Sequence, residues 1–241
     1  MPPRASSLVF VPTVVLSAYA LSAQSVDVIV ARNLAARGGI EKLRAVHSQR
    51  LTGTISFGPG NEGPFQVEMQ RPGKMRERLT LNGKIIIRTT NGKAGWIVNG
   101  DSDPAPLSSA ILKNMAGGAD FDGPLMDYRA KGNRIELAGK ETVGGKNAYK
   151  LIVTMLDGEV RNDFIDCESY LEIKWEGKLT SDGKESSVES FFRDYRKVDG
   201  IAYAFAIDSD TIGAPGKQEI RFQKVEVNPP EDRARFEKPT R

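Results

Sequence analysis

Turn signals recur along this chain at strand-length intervals, and apolar residues alternate between them. Pro59-Gly60, Pro72-Gly73, Asn82-Gly83, Asn91-Gly92 and Asn99-Gly100 punctuate the first half. Such pairs supply the backbone conformations that tight hairpins need. Leu51, Gly53, Ile55 and Phe57 fall on one face of a predicted strand, and Phe65, Val67 and Met69 on one face of the next. Met75, Leu79 and Leu81 follow, interrupted by Glu77, with Arg76 and Arg78 opposite. Ile85 and Ile87 come next, then Ala94, Trp96 and Val98. Period two with one apolar face describes an antiparallel sheet covered on one side.

The same grammar returns after residue 134. Ile135 and Leu137 lead to Gly144-Gly145, and Tyr149, Leu151, Val153 and Met155 run to Asp157-Gly158. Leu171, Ile173 and Trp175 alternate, then Phe191, Phe192 and Tyr195 lead to Asp199-Gly200. Ile201 to Ile207 and Ile220 to Val227 complete the set, and the tail from Asn228, rich in proline and charge, reads as a poorly packed end. Two stretches break the period. Val26, Ile29, Val30 and Leu34, then Ile40, Leu43 and Val46, have helical spacing across Gly38-Gly39, which predicts two short helices or one kinked one over 26–46. Leu107, Ile111, Leu112 and Met115 repeat that spacing until Gly117-Gly118, and Leu125, Met126 and Tyr128 suggest a second short helix. The order helix, meander, helical insert, meander predicts a mainly β (α+β) domain. Its single antiparallel sheet curls around the helices, because twist accumulates over some ten strands.

The first 23 residues are set apart. Arg4 is the sole charge before Asp27, an apolar run spans Leu8–Ala23, and Ala18, Ala20 and Ala23 offer small-residue exits. That pattern predicts a secretory signal peptide cut after Ala20 or Ala23, leaving 24–241 as one soluble, exported domain. The run is shorter than the ~20 residues a spanning helix needs, and Pro12 interrupts it. The single cysteine, Cys167, cannot form an intramolecular disulfide, so the fold must hold by its core, which the 39% apolar content allows.

Composition excludes several kinds of chemistry. A net charge of +3 with no block of like charge argues against nucleic acid. His47 is the one histidine, so a zinc site with two histidine ligands is impossible, and no G-x-S-x-G elbow is present. Cys167 is flanked by Asp166 and Glu168, whose charge opposes the thiolate a nucleophile needs. Asp163, Asp166 and Glu168 could offer oxygen ligands to calcium but lack the full ligand ladder, so a solvated turn is the simpler reading. No catalytic residue, metal or cofactor is expected. What remains is an apolar face on a large curved sheet. It is a lipid pocket if the helices fill it only in part, and a packed core if they fill it wholly. Burying ~12 methylenes there would contribute on the order of 10 kcal/mol before ordering costs.

Several segments carry a family resemblance. They are LAARGGIEKLRAVHSQRLTGTISF, MQRPGKMRERLTLNGK with NGKAGWIVNG, ADFDGPLMDYRAKGNRIELAGKETVGGKNAYKLIVTMLDG, DYRKVDGIAYAFAI and KVEVNPPEDRARFEKP. In this order they resemble the LolA-like outer-membrane lipoprotein-sorting superfamily over most of the chain after residue 23. The resemblance implies an incomplete β-barrel of about ten to eleven strands, with short helices covering the open side of a hydrophobic cavity. It implies a periplasmic carrier or chaperone for the acyl chains of lipids or lipoproteins. Inner- and outer-membrane transport proteins are the implied partners, and the carrier is a monomer. The alternative within the same superfamily is an envelope sensor or protein-interaction module that reads a lipid. On this reading Leu51, Ile55, Phe57, Met69, Leu79, Ile87, Trp96, Leu151 and Val153 line the cavity. Leu107, Ile111, Leu112 and Met115 form a movable lid.

Overall fold

The computed structural model describes residues 15–181, 184–212, 217–230 and 232–239. Strands β1 (Ser48–Ser56), β2 (Glu62–Gln70), β3 (Lys74–Leu81), β4 (Lys84–Thr90), β5 (Gly95–Asn99) and the two-residue β6 (Ala105–Pro106) form a meander. A second meander comprises β7 (Arg134–Val143), β8 (Lys146–Thr154), β9 (Val160–Asp166), β10 (Glu172–Ser181), β11 (Lys184–Val198), β12 (Ile201–Thr211) and β13 (Lys217–Val227). Pairing of β1 with β13 joins them into one antiparallel sheet of thirteen strands, with β6 and β7 at its open edges. The two strands beyond the expected ten to eleven are β6 and β9. The sequence of β9 resembles a turn because its inward positions hold Asp163 and Arg161. Asp163 and Asp166 are buried, which corrects the reading of this run as a solvated turn.

Among the described residues three helices sit on one face of the sheet: α1 (Val15–Arg37), α2 (Ile40–Arg44) and α3 (Ser109–Ala119). The expected leader, 1–23, lies outside the described residues up to 14, and α1 runs on past Ala20 and Ala23. Among the described residues no helix is long and apolar enough to cross a membrane. α3 shows how strongly the sheet bends. It touches β3 and β4 on one arm and β10 on the other. Strands β3 and β10 are six steps apart in the sheet. At ~4.8 Å per step that is about 29 Å on a flat sheet, whereas eleven helical residues span about 16 Å. The sheet must curl to bring both arms to one helix, which gives an open half-barrel.

Each arm is filled separately. Leu51, Ile55, Phe65, Val67, Met69, Met75 and Leu79 pack against Met115 and Ala119 of α3. Leu151, Val153 and Ile165 pack against Val26, Ile29 and Val30 of α1. Glu77, the charge on the inner face of β3, is paired with Arg88 directly across on β4. Gly117 and Gly118 do not stop α3, which continues to Ala119. Gly118 is a spacing device, since a Cβ there would lie 3.2 Å from Met75 Sδ. The expected second helix near Leu125 is a run of turns, although Leu125, Met126 and Tyr128 are buried as a helix face would be. The tail is not loose either. A 3-10 turn at Arg233–Phe236 docks on the outer face, burying Phe236 and setting Arg235 2.9 Å from Glu68.

Candidate functional site

Between the two filled arms the sheet is left partly uncovered. An inner cavity of about 250 Å³ lies among α1, α2, the turn at 121–125 and strands β9–β13. An outer cavity of about 710 Å³ opens between α3 and strands β9 and β10, with the β8–β9 turn at its rim. Its wall carries Met155, Leu156, Val160 and Trp175, with Ala116 and Gly117 of α3 opposite. Leu156, 77% exposed, and Val160, 52% exposed, stand together at its edge. Lys113 of α3 reaches across to Asp157 (2.8 Å) and Glu159 (2.5 Å) in the β8–β9 turn. These half-exposed pairs latch the helix to the opposite rim at little energetic gain.

The two cavities share Gly123 and Pro124, and an ionic triad stands between them. Arg161 lines the outer cavity, and its partners Asp163 and Glu172 line the inner one. Arg161 Nε donates to Asp163 Oδ1 at 2.5 Å and a terminal nitrogen to Glu172 Oε1 at 2.7 Å. The register builds this group. Asp163 lies opposite Leu151 on β8 and Trp175 on β10, so its side chain is directed to the inner face, and Arg161 stacks on the Trp175 ring at 5.1 Å. Burial, then the adjacent Asp163 charge, push the Glu172 carboxyl up to about 7. Burial also raises Asp163. Two carboxylates share one guanidinium out of bulk water, so a proton is retained near neutrality.

The roof of the inner cavity is pinned by Arg71, from the R-P-G-K segment. Its terminal nitrogens hold Asp122 at 2.6 and 2.5 Å, its Nε donates to the Val46 carbonyl at 2.7 Å, and its plane lies over Phe121. Arg37 donates to the carbonyl oxygens of Phe121 and Asp122. The Arg71 hydrogen bonds hold the Asp122 carboxyl below its ordinary value of 3.8. Stability from a depressed carboxyl is present above that unfolded value and is lost as pH falls through the lower folded one. Asp122→Asn is therefore expected to cost about 2 kcal/mol at pH 7, with the gap to the parent shrinking only below about pH 4. Thermal melts of both proteins from pH 7 to pH 2.5 check this. A gap that does not change with pH would remove the ion pair as its cause.

The residues expected to line the cavity are distributed differently. Leu51 lines the inner cavity. Ile55, Met69 and Leu79 are core under α3, and Leu151 and Val153 are core under α1. Ile87 and Trp96 are on the opposite face of the sheet. Leu79 lies across from Ile86, and Trp96 across from Thr89, so Ile86 and Ile97 are the inward residues. Three consecutive isoleucines give no phase by themselves. The two-residue Asn82-Gly83 turn does, since it pairs Leu81 with Lys84 and fixes all that follows. Phe57 lies beyond the end of β1 and is 37% exposed. Of the expected lid, Met115 is buried, and Leu107 and Ile111 pack on the same cluster. Leu107 and Leu112 occupy the space that Gly95 leaves open. Lys113, Ala116 and Gly117, the outward side of this helix, face the cavity. His47 is exposed where α2 meets β1, and it and Cys167 line neither cavity. Among the described residues no group of three or more histidine, cysteine, aspartate or glutamate side chains is placed to hold a metal ion.

No protein-family model matches the sequence, and no curated protein matches it. Solved structures do match in fold. A DUF1329 family protein from Desulfovibrio piger superposes with a TM-score of 0.59 at 14% identity, covering 88% of this chain and 97% of that one. A LolA superfamily protein from Nitrosomonas europaea gives 0.54 at 13% identity, covering 90% and 98%. A putative outer membrane lipoprotein-sorting protein domain from Vibrio parahaemolyticus gives 0.54 at 12% identity, covering 81% and 93%. The chain has the LolA-superfamily fold.

Proposed function

We propose that this protein carries acyl chains of lipids or lipoproteins in the outer cavity, and that it works in the periplasm after residues 1–23 are removed. The observation that carries the reading is the outer cavity itself. It has the volume of a small-molecule site, most of its lining surface is apolar within a set of charged side chains, and its edge exposes Leu156 and Val160. The fold shared with a lipoprotein-sorting domain supports it. Apolar burial is a sufficient driving force, at ~0.8 kcal/mol per methylene removed from water. The chemistry is shielding rather than reaction. α3 is the lid, hinged on its buried Met115 side and latched on its cavity side by Lys113. Transport proteins of the inner and outer membranes would load and unload the carrier.

Native mass spectrometry of the protein purified gently from its own host tests the proposal. The expected result is co-purifying acyl lipid or lipopeptide that is lost on delipidation and regained on mixing. Protein that is clean as isolated, and that takes up no fluorescent fatty acid, would overturn it.

A further inference from the structure

The inner cavity is walled mostly by apolar side chains, but the few polar groups it does carry are unbalanced in one direction. Apart from the Tyr203 hydroxyl, its side-chain donors are already engaged, Gln49 on Met69 Sδ among them. Arg37 spends its two terminal nitrogens on the carbonyls of Phe121 and Asp122. Tyr195 donates to the Glu172 carbonyl at 2.7 Å, and Asn33 Nδ2 to the Tyr170 carbonyl at 2.8 Å. The acceptors are not. Asp163 is 1% exposed, its Oδ1 is held by Arg161, and its Oδ2 is buried with no hydrogen-bond partner. A buried carboxylate oxygen left unpaired costs the full desolvation of that group, so it marks a place where a donor is missing. Glu172 has one oxygen on Arg161 and keeps 26% of its side-chain surface, which faces this cavity.

We propose that the inner cavity is a head-group site for a primary ammonium, received by the exposed side of the Glu172 carboxylate with the buried, half-satisfied Asp163 carboxylate behind it, while the apolar tail of the same amphiphile occupies the outer cavity. An ammonium is the group that fits, because it offers three donors and no acceptor. Gly123 and Pro124 line both cavities beside the triad, so the proposed head site and tail site adjoin. This rests on the acyl-carrier reading and adds the class of its cargo. Ethanolamine phospholipids and lipopeptides with a free amino terminus both present that chemistry.

Binding should also depend on pH. The groups facing Glu172 are Arg161 and Asp163 from β9, Tyr195 from β11 and Arg37 from α1. Its carboxyl, with a value of about 7, is largely protonated at pH 5.5 and ionised at pH 8. An ammonium ligand stays charged across that range, so its affinity rises with pH by about tenfold or more as Glu172 ionises.

The test is calorimetric titration of the full mature chain with dodecylamine, dodecanol and dodecanoate at pH 5.5 and pH 8. Dodecylamine is expected to bind at pH 8 about tenfold more tightly than dodecanol, with dodecanoate weakest. The preference should collapse at pH 5.5 and in Glu172→Gln. Asp163→Asn should also reduce it, but that variant leaves Arg161 short of a partner, so Glu172→Gln carries the decision. Equal binding of all three probes, unchanged by Glu172→Gln, would leave the carrier standing and overturn the ammonium site. Failure of every probe to bind would overturn both. An ethanolamine phospholipid and a diacyl lipopeptide, each compared with its N-acetylated form, distinguish the two sources.

Discussion

Replacing Gly53 with alanine is expected to destabilise the protein by about 3 kcal/mol or more, lowering Tm by roughly 6–12 °C for a chain of this size. Gly53 lies on β1 at the seam where the two meanders meet, and the register shifts there because β13 carries one extra residue, Gln223. A Cβ at this position would lie 2.1 Å from the Arg221 carbonyl oxygen and 2.7 Å from the Phe222 Cα. Both are backbone atoms, so neither can rotate away. The missing side chain is used from above as well. Phe65 on β2 and Phe222 on β13 both lie across from Gly53, and their rings stack with centroids 6.3 Å apart. Alanine would push apart the backbones of β1 and β13 and the ring pair over them. Urea unfolding followed by tryptophan fluorescence measures the loss. Stability within about 0.5 kcal/mol of the parent would show that the seam relaxes freely, contrary to the packing described.

The second large effect concerns uptake. Gly117→Leu on α3 is expected to weaken acyl-chain binding by about thirtyfold while leaving the protein as stable as the parent or more so. Gly117 lines the outer cavity, its backbone is helical, and a Cβ there meets nothing within 4 Å. Leucine gains up to ~1 kcal/mol of helix propensity over glycine. Its side chain would displace two or three methylenes of a bound chain, about 2 kcal/mol, which is the stated fold-change. Fluorescent fatty-acid titration, with a melt on the same samples, reads both quantities. A variant that folds and binds normally would move the acyl site away from this cavity.

Much of this architecture was legible in the residues. The hairpin dipeptides gave most of the strands, and Gly38-Gly39 marked the break between α1 and α2. The apolar alternation of β1–β3 gave the packed face. Errors came where a local rule met a tertiary demand. Asp163 reads as solvated until Arg161 and Glu172 are seen around it. Gly117-Gly118 reads as a helix stop until the close approach to Met75 explains the second glycine. Phe236 sits in a tail rich in proline and charge, yet it is buried on the outer face. The triad at the heart of the candidate site left no sequence signal, since its members are brought together by pairing between β9 and β10 rather than by spacing.

The sequence by itself determined the class of fold. Period-two patterning and turn chemistry are local, short-range properties, and they dictate a long antiparallel sheet with one apolar face. It did not determine where that face stays empty. An apolar residue has the same pattern whether a helix covers it or a ligand does. Only the curl of the sheet, with α1 filling one arm and α3 the other, decided that the free volume lies between them. That volume is bounded by charges which β9, β10, two helices and a turn had to converge to supply.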